Sequence, residues 1–481
     1  MSDIKKIIRE GILGKNLRLY TFLMGITIIT GFMMLITFEY EDADSLAAWS
    51  LNFWDLLFKG KLDEFYEYTA LNVHGAVHPN CGGNYLWLLP LCIWNLPLWV
   101  VHSIGGIVSI QNFWSICWSK MFLFILQIVT AHICGKICGM ITSDKNRVLL
   151  TVLLVMASPE ILVSVGYVGQ DEIVYVCLFV AAFYYFLKGY WKRCYVMLVC
   201  CVTFCPIMLI PVLALLLLKE KRIYKLLIYI TGTILPLFLF ELCYKGDALY
   251  QSVKHTNDFV DMLHRMLTGS QFDTVLGAFS VVGVALCLLF FYCYMEQMPQ
   301  DGNEEWHRKL VFLFALLFVM ISFFMVDDFY RMFLYVPFLV VMLMTSGQDV
   351  GNNLFLFTIL TYGRMFQVCR GSYPKSMNTC YVMRNSWITL LCDRLGSTRY
   401  LADPEHCTCL WAYVYSYGKL LEVLNLLVET CLVGVVVILF VMNRCGYQKQ
   451  YKSMFRENVV LTICIACMPV VLLGYYVMLL H

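Results

Sequence analysis

The sequence predicts an all-α, polytopic transmembrane helical bundle of about 13 crossings, and three observations carry this prediction. Of the 481 residues, 60% are hydrophobic and only 14% are charged, whereas about 25% are charged in soluble domains. Long apolar runs recur along the chain, and about 20 apolar residues cross a bilayer as a helix. Clusters of Lys and Arg separate several of these runs, as is typical of the cytoplasmic loops of membrane proteins.

The composition excludes several classes of protein. One soluble core cannot bury this much apolar surface, so a soluble enzyme and a disordered chain are excluded. The net charge of +2 gives no general affinity for nucleic acid. Most of the 22 cysteines lie within apolar runs, where cysteine acts as a small hydrophobe. A disulfide is plausible only in one polar loop, and only if that loop faces an oxidising compartment. This loop contains Cys380, Cys392, Cys407 and Cys409.

The first apolar run, near 19–38, follows Lys15 and Arg18 and has no cleavage site of small residues. It is therefore predicted to be a retained span with a cytoplasmic N-terminus. Further runs lie near 117–142, 147–165, 171–188, 193–218, 223–243, 274–295, 308–326, 329–345, 353–369, 419–442 and 457–479. Five cationic clusters are predicted to be cytoplasmic: Lys145/Arg147, Lys188/Lys192/Arg193, Lys219/Lys221/Arg222/Lys225, Arg308/Lys309 and Arg444 to Arg456.

Two apolar segments cannot each be a single membrane crossing if all five cationic clusters are to lie on the cytoplasmic side. Residues 85–105 contain Pro90 and Pro97, which interrupt helices, and are predicted to form a short helix that dips into the outer face. Residues 193–218 are broken at Cys205-Pro206 and are predicted to form two short segments joined by an outward-facing turn. The C-terminus is then outside.

This topology places the polar segments on the outer face of a plasma (inner) membrane, where any active site is expected. The outer segments are 39–116, 166–171, 244–273, 327–329 and the loop 370–418.

Asp42 and Asp44 follow the first span directly. Their spacing can present two carboxylates to a divalent cation, Mg²⁺ or Mn²⁺, or to hydroxyl groups; a solvated acidic rim is the alternative. After Asp44, large apolar residues recur at helical spacing: Trp49, Phe53, Trp54 and Leu57. This stripe is predicted to form an amphipathic interfacial helix that anchors the acidic pair at the membrane surface.

A second acidic group, Gln170, Asp171 and Glu172, lies at the outer mouth of two spans. Helix capping would explain one of its acids, whereas two acids and an amide at a bilayer boundary predict a polar pocket.

A third group holds Asp327, Asp328, Tyr330 and Arg331. Arg331 either forms an ion pair with these acids or holds a phosphate, for which its planar fork is suited. His255 and Arg265 lie in a second predicted interfacial helix within 244–273. They are either surface residues or phosphate ligands.

Over residues 1–345 this order of motifs resembles the GT-C superfamily of integral-membrane glycosyltransferases. The shared features are the acidic Asp42-Ala43-Asp44 motif after the first span, the turn at Gln170, and an Asp/Tyr/Arg group at a later helix start. The half-spans around Cys205-Pro206 resemble a broken helix that carries Lys-Pro in many relatives. Cys205 stands where that lysine is often found, so the contact to the lipid phosphate comes from elsewhere or is absent.

The resemblance implies a catalytic module over 1–345 with the outer loop 39–116, and a variable C-terminal region over 346–481. It implies a hexosyl- or pentosyltransferase that takes sugar from a polyprenyl-phosphate donor with inversion. Asp44, or Asp42, would be the general base on the acceptor hydroxyl, and Arg331 with cations of 244–273 would stabilise the leaving phosphate. A metal is optional, and the acceptor is a glycan, a lipid or a protein.

Two other functions stay open. An oligosaccharide polymerase or ligase would use Arg and His of a large outer loop, and 370–418 contains Arg370, Arg384, Arg394 and Arg399. A transporter or flippase of lipid-linked sugars would place polar residues at mid-bilayer on repeated, broken helices. The acids here cluster at one surface instead.

Overall fold

The computed structural model describes most of the chain up to the last helix. The described residues are 2–76, 78–106, 113–254, 259–274, 277–297, 303–324, 333–346, 350–371, 380–382 and 418–445.

Helices account for nearly all of the described structure. They are α1 (Ser2–Thr37), α2 (Glu41–Lys59), α3 (Phe65–Ala70), α4 (Leu89–Gly105), α5 (Phe113–Gly139), α6 (Lys145–Ala157), α7 (Pro159–Ile161), α8 (Glu172–Leu187), α9 (Trp191–Phe204), α10 (Leu209–Lys219), α11 (Ile223–Tyr244), α12 (Ala248–Lys254), α13 (Phe259–Thr268), α14 (Val281–Met295), α15 (Glu304–Phe324), α16 (Val336–Thr345), α17 (Val350–Gly371) and α18 (Gly418–Arg444). A π-helical segment, Leu162–Val168, extends α7.

This is a helical membrane protein. Seven helices of the described part are long and apolar enough to cross a bilayer, and five shorter apolar helices accompany them. Large apolar side chains lie exposed on the outside of the bundle, among them Ile29 on α1, Ile228 on α11 and Phe291 on α14. Such an exposed apolar surface is stable in lipid. The total of about 13 crossings stays a prediction.

The cationic clusters that the sequence assigns to the cytoplasm converge on one end of the bundle. Arg147 Nη1 donates to the carbonyl oxygen of Met344 at 3.0 Å. Lys221 Nζ donates to the carbonyl oxygen of Cys293 at 2.7 Å. Three residues after Cys293, Glu296 pairs with Arg444 at 3.0 Å.

The remaining clusters join the same end through neighbouring contacts. His307, next to Arg308, interacts with the backbone of Met140 and electrostatically with Lys188. The convergence supports the prediction that all five clusters share one side of the membrane, because charges on opposite sides of a bilayer could not meet; that this side is the cytoplasm stays a prediction.

The run 193–218 folds back on itself, as the sequence predicts. Cys205 has an extended backbone (φ −140°, ψ 103°) between α9 and a 3₁₀ turn at Pro206–Met208. Lys219 Nζ lies 5.7 Å from the centre of the Trp191 ring, whereas the two residues would stand about 40 Å apart in one straight helix. The ends of α9 and α10 therefore lie together, with the break at the opposite end.

The two prolines of 85–105 do not interrupt the helix. Pro90 occupies the first turn of α4 and Pro97 lies inside it, yet the helix continues to Gly105. A proline in the first turn costs little, because its missing N–H has no intrahelical partner there. With the preceding 3₁₀ turn the segment has the length and composition of a span. The sequence predicts a short helix interrupted by the prolines, and this is wrong, because the helix is longer and continuous from Leu89 to Gly105.

Two small antiparallel sheets accompany the helices. In one, β2 (Gln271–Thr274) pairs with β3 (Gly277–Ser280). In the other, β1 (Phe38–Tyr40) pairs with β4 (Cys380–Val382), with Tyr40 opposite Cys380. This second pairing places part of the loop 370–418 beside the exit of α1, on the same face as the first outer loop.

Candidate functional site

The site is built on α2, whose first half is buried inside the protein. Asp44 is 1% exposed and Ser45 is fully buried. Trp49 and Phe53 pack in an aromatic cluster that the first outer loop forms together with α11 and α12. Trp49 Nε1 donates to the carbonyl oxygen of His78 at 3.0 Å. The predicted anchoring stripe is therefore wrong for Trp49 and Phe53, because protein rather than lipid covers them.

Polar side chains fasten α2 to its neighbours α4 and α5. Asn95 Nδ2 of α4 donates to Ser50 Oγ at 2.8 Å, and its Oδ1 accepts from Ser119 Oγ of α5 at 3.2 Å. All three side chains are buried, so each bond is made away from competing water. The network fixes the helix that carries Asp44.

A second polar cluster centres on Asp55, three helical turns after Asp44. Its Oδ2 lies 2.9 Å from His74 Nε2 and accepts from the Tyr68 hydroxyl at 3.0 Å, while its Oδ1 accepts from Trp99 Nε1 at 2.8 Å. Burial alone would raise the pKa of Asp55, but hydrogen bonds from His74, Trp99 and Tyr68 outweigh burial and lower it. The ionised carboxylate therefore ties α2, α3 and α4 together.

The second sequence-predicted group comes close to the start of α2. Gly169 ends the π-helical segment with φ +78°, a left-handed conformation that favours glycine. A Cβ at this position would lie 3.0 Å from Ala43 Cβ. The turn thus touches the residue immediately before Asp44, and the two acidic motifs meet as the sequence predicts.

The turn itself is largely buried. Gln170 N–H donates to the carbonyl oxygen of Ser164 at 2.9 Å. Gln170 and Glu172 are each 3% exposed, and Asp171 is half-buried. Asp171 stands at the N-cap of α8 without a side-chain capping bond, so capping does not account for its side chain.

The first outer loop also reaches this turn through Cys81. Burial raises the pKa of the Cys81 thiol, and the neighbouring Cys92 and Asp171 raise it further. The loop before α4 therefore lies near enough to the turn 169–172 for Cys81 and Asp171 to interact electrostatically.

Sequence reasoning missed two charged residues of this region. Lys120 of α5 is 1% exposed, and its Cγ would lie 3.4 Å from a Cβ on Gly169. Glu160, 4% exposed, accepts from the Tyr335 hydroxyl at 2.6 Å. The available signal was an ionisable residue inside an apolar run, which is costly in a membrane and therefore indicates a functional site.

The other sequence-predicted residues are only partly described. Asp42 lies in the first turn of α2, but its side chain is outside the described residues. Arg265 is exposed on α13, and α13 packs against the 3₁₀ turn at Pro206–Met208. Other predicted members lie outside the described residues: His255, Asp327, Asp328, Tyr330 and Arg331.

The described residues contain no group of three or more His, Cys, Asp and Glu side chains able to hold a metal ion. Because the side chain of Asp42 is outside the described residues, the optional cation at the Asp-x-Asp motif stays a prediction.

No family model, curated protein or solved structure matches this chain.

Proposed function

We propose that this protein is a membrane glycosyltransferase that moves a sugar from a polyprenyl-phosphate donor to an acceptor on the extracytoplasmic face. The observation that carries the proposal is the meeting of two acidic motifs at Ala43 and Gly169, which lie 126 positions apart in the chain. A membrane protein with a purely structural role needs no such buried acidic site, since buried charges are costly.

The proposed reaction is a single displacement with inversion. The acceptor oxygen attacks the anomeric carbon of the donor, and its proton passes to the carboxylate of Asp44. The bond between the anomeric carbon and the phosphate oxygen breaks, and polyprenyl phosphate leaves with the electron pair. A general base must lie within hydrogen-bond reach of the acceptor hydroxyl. Asp42 remains the second choice for this role.

The environment of Asp44 suits a base that works beside a charged lipid. Its burial on α2 shields the carboxylate from bulk water, which strengthens its interaction with nearby charges. Glu172 and Gln170 are assigned to the acceptor or sugar hydroxyls. Arg331 is assigned to the leaving phosphate as negative charge develops on it, with Arg265 and His255 as further cations.

The test is transfer by the purified protein with a panel of polyprenyl-phosphate sugars, scored as release of polyprenyl phosphate. We expect Asp44→Asn to lower turnover by about 10²–10⁴-fold, as is typical of a lost general base, and to leave donor binding unchanged. Asp63→Asn is the matched control, because Asp63 is an exposed acid of the same outer loop.

Asp42→Asn decides between the two candidate bases, since the larger loss identifies the base. If Asp44→Asn and Asp42→Asn both fold and keep near wild-type transfer, neither carboxylate is the general base of this reaction. The arginines of 370–418 would then be the next residues to change, as a polymerase or ligase requires.

A further inference from the structure

Lys120 is a cation buried where α2, α5 and the turn 169–172 meet. Its side chain is 1% exposed. A Cβ on Gly169 would lie 3.4 Å from Lys120 Cγ and 3.6 Å from its Cε, and 3.0 Å from Ala43 Cβ. The stem of the lysine therefore passes the same point at which Ala43 meets the turn, and Asp44 follows Ala43 directly.

The described side chains at this meeting point carry more acid than base. Asp44 and Glu172 are 1% and 3% exposed, and Asp171 is half-buried. Over the described residues 43–46, 116–124 and 169–172, Lys120 is the one lysine or arginine.

Two buried carboxylates at one site oppose each other's ionisation, so one of them takes up a proton unless a cation lies nearby. A buried lysine equally requires acidic partners, because removing its charge from water costs several kcal/mol. A lysine buried at the same meeting point as two buried acids can meet both requirements through its charge.

We propose that Lys120 is a positioning residue, the shared counter-ion that keeps Asp44 and Glu172 ionised and holds the turn 169–172 against α2. This inference rests on the proposed function, in which Asp44 must be ionised to accept a proton. In this role Lys120 does not bind the donor phosphate. The role also explains why two acids are buried at a site whose reaction needs only one base.

The first test needs no activity: a double-mutant cycle on the midpoint of thermal unfolding of the full chain in detergent. Lys120→Met and Asp44→Asn should each lower the midpoint, and the double variant should lose clearly less than their sum, because residues in one charge network are coupled. Lys136→Met is the matched control, an exposed lysine of the same helix, and its effect should add to that of Asp44→Asn. Additive losses for Lys120→Met would overturn the proposal.

The second test uses the pH dependence of transfer. In Lys120→Met the fall of the transfer rate on the acidic side of the pH profile should move to higher pH by about one unit or more, with donor affinity unchanged. In Lys120→Arg this acidic limb should return most of the way to its wild-type pH. Loss of donor affinity with an unmoved limb would instead identify a phosphate ligand and overturn the proposal. If the wild type releases no polyprenyl phosphate from any donor, the proposed function fails, while the thermal cycle still decides whether Lys120 and Asp44 are coupled.

Discussion

The hydroxyl of Tyr335 donates a hydrogen bond to Glu160 Oε1 at 2.6 Å, and the two residues lie 175 positions apart in the chain. Both side chains are buried. Tyr335 immediately precedes α16 and follows the segment that contains Arg331. Glu160 lies in α7, which leads into the turn 169–172. The bond therefore links the helix start beside the proposed phosphate-binding segment to the turn beside Asp44.

Loss of this hydroxyl should weaken the protein measurably. In Tyr335→Phe the buried Glu160 loses a donor, and a buried polar group that loses its partner costs about 1–3 kcal/mol. We expect a lower midpoint of thermal unfolding and slower transfer. Tyr195→Phe is the control, since that hydroxyl donates to a backbone carbonyl at 2.9 Å in a partly buried site. Equal losses in the two variants would contradict a special role for the Tyr335–Glu160 bond.

The contact between the two acidic motifs can be tested at Gly169. Gly169→Ala introduces a Cβ at φ +78° that would lie 3.0 Å from Ala43 Cβ. Gly189→Ala is a matched control, because its φ is +75° and nothing lies within 4 Å of the added Cβ. Both variants bear the strain of a left-handed residue, roughly 1–2 kcal/mol.

Only Gly169→Ala also pushes the turn away from α2. We therefore expect the larger loss of thermal stability for Gly169→Ala, together with a loss of transfer that Gly189→Ala does not show. Equal stability and activity of the two variants would mean that the turn can move away from Ala43 without consequence.

The Asp55 cluster predicts a particular dependence of stability on pH. Because its hydrogen bonds lower the pKa of Asp55, the carboxylate stabilises the fold above the ordinary aspartate pKa, and this contribution is lost as pH falls through the lower, folded value. Asp55→Asn should lower the unfolding midpoint at neutral pH and should reduce its fall in acid. Asp63→Asn, at an exposed acid of the same loop, should leave the profile nearly unchanged. An unaltered acid limb in Asp55→Asn would contradict this role.

The fold-back of α9 and α10 predicts a defined crosslink. A photoreactive benzoylphenylalanine in place of Trp191 should attach to the peptide that contains Lys219, whose Nζ lies 5.7 Å from the Trp191 ring. Mass spectrometry of the digested protein identifies the attached peptide. The same group at Val196, which is 59% exposed, should not reach that peptide. Attachment of the 191 probe near Pro206 alone would contradict the hairpin.

Sequence reasoning succeeded where a local rule determines structure. The break at Pro206 follows from the missing N–H of proline, and the convergence of Arg147, Lys221 and Arg444 follows from the sidedness of positive charge. The contact of Ala43 with the turn at Gly169 agrees with the expectation that both segments lie on one face. Pro90 misled the prediction because its effect depends on its position within a helix.

The remaining features depend on contacts that no local pattern records. Lys120 lies within an apolar run like many snorkelling lysines, and only the packing of α5 against Gly169 reveals its burial. The pairing of Tyr335 with Glu160 joins distant segments, and neither residue marks its partner in the sequence. Trp49 and Phe53 have the spacing of a membrane anchor, and the same spacing serves equally well for an inward-facing stripe.

The pairing of β1 with β4 also has a consequence for biosynthesis. Tyr40 emerges from the ribosome early, whereas its partner Cys380 follows 340 residues later, tens of seconds at the usual rate of about 5–20 residues per second. During that interval the backbone at the exit of the first span has an unpaired edge, the kind of edge that invites pairing with another chain. The strand pairing next to the acidic motif is therefore among the last contacts of the molecule to form, and a nascent chain arrested before residue 380 would leave that edge unpaired.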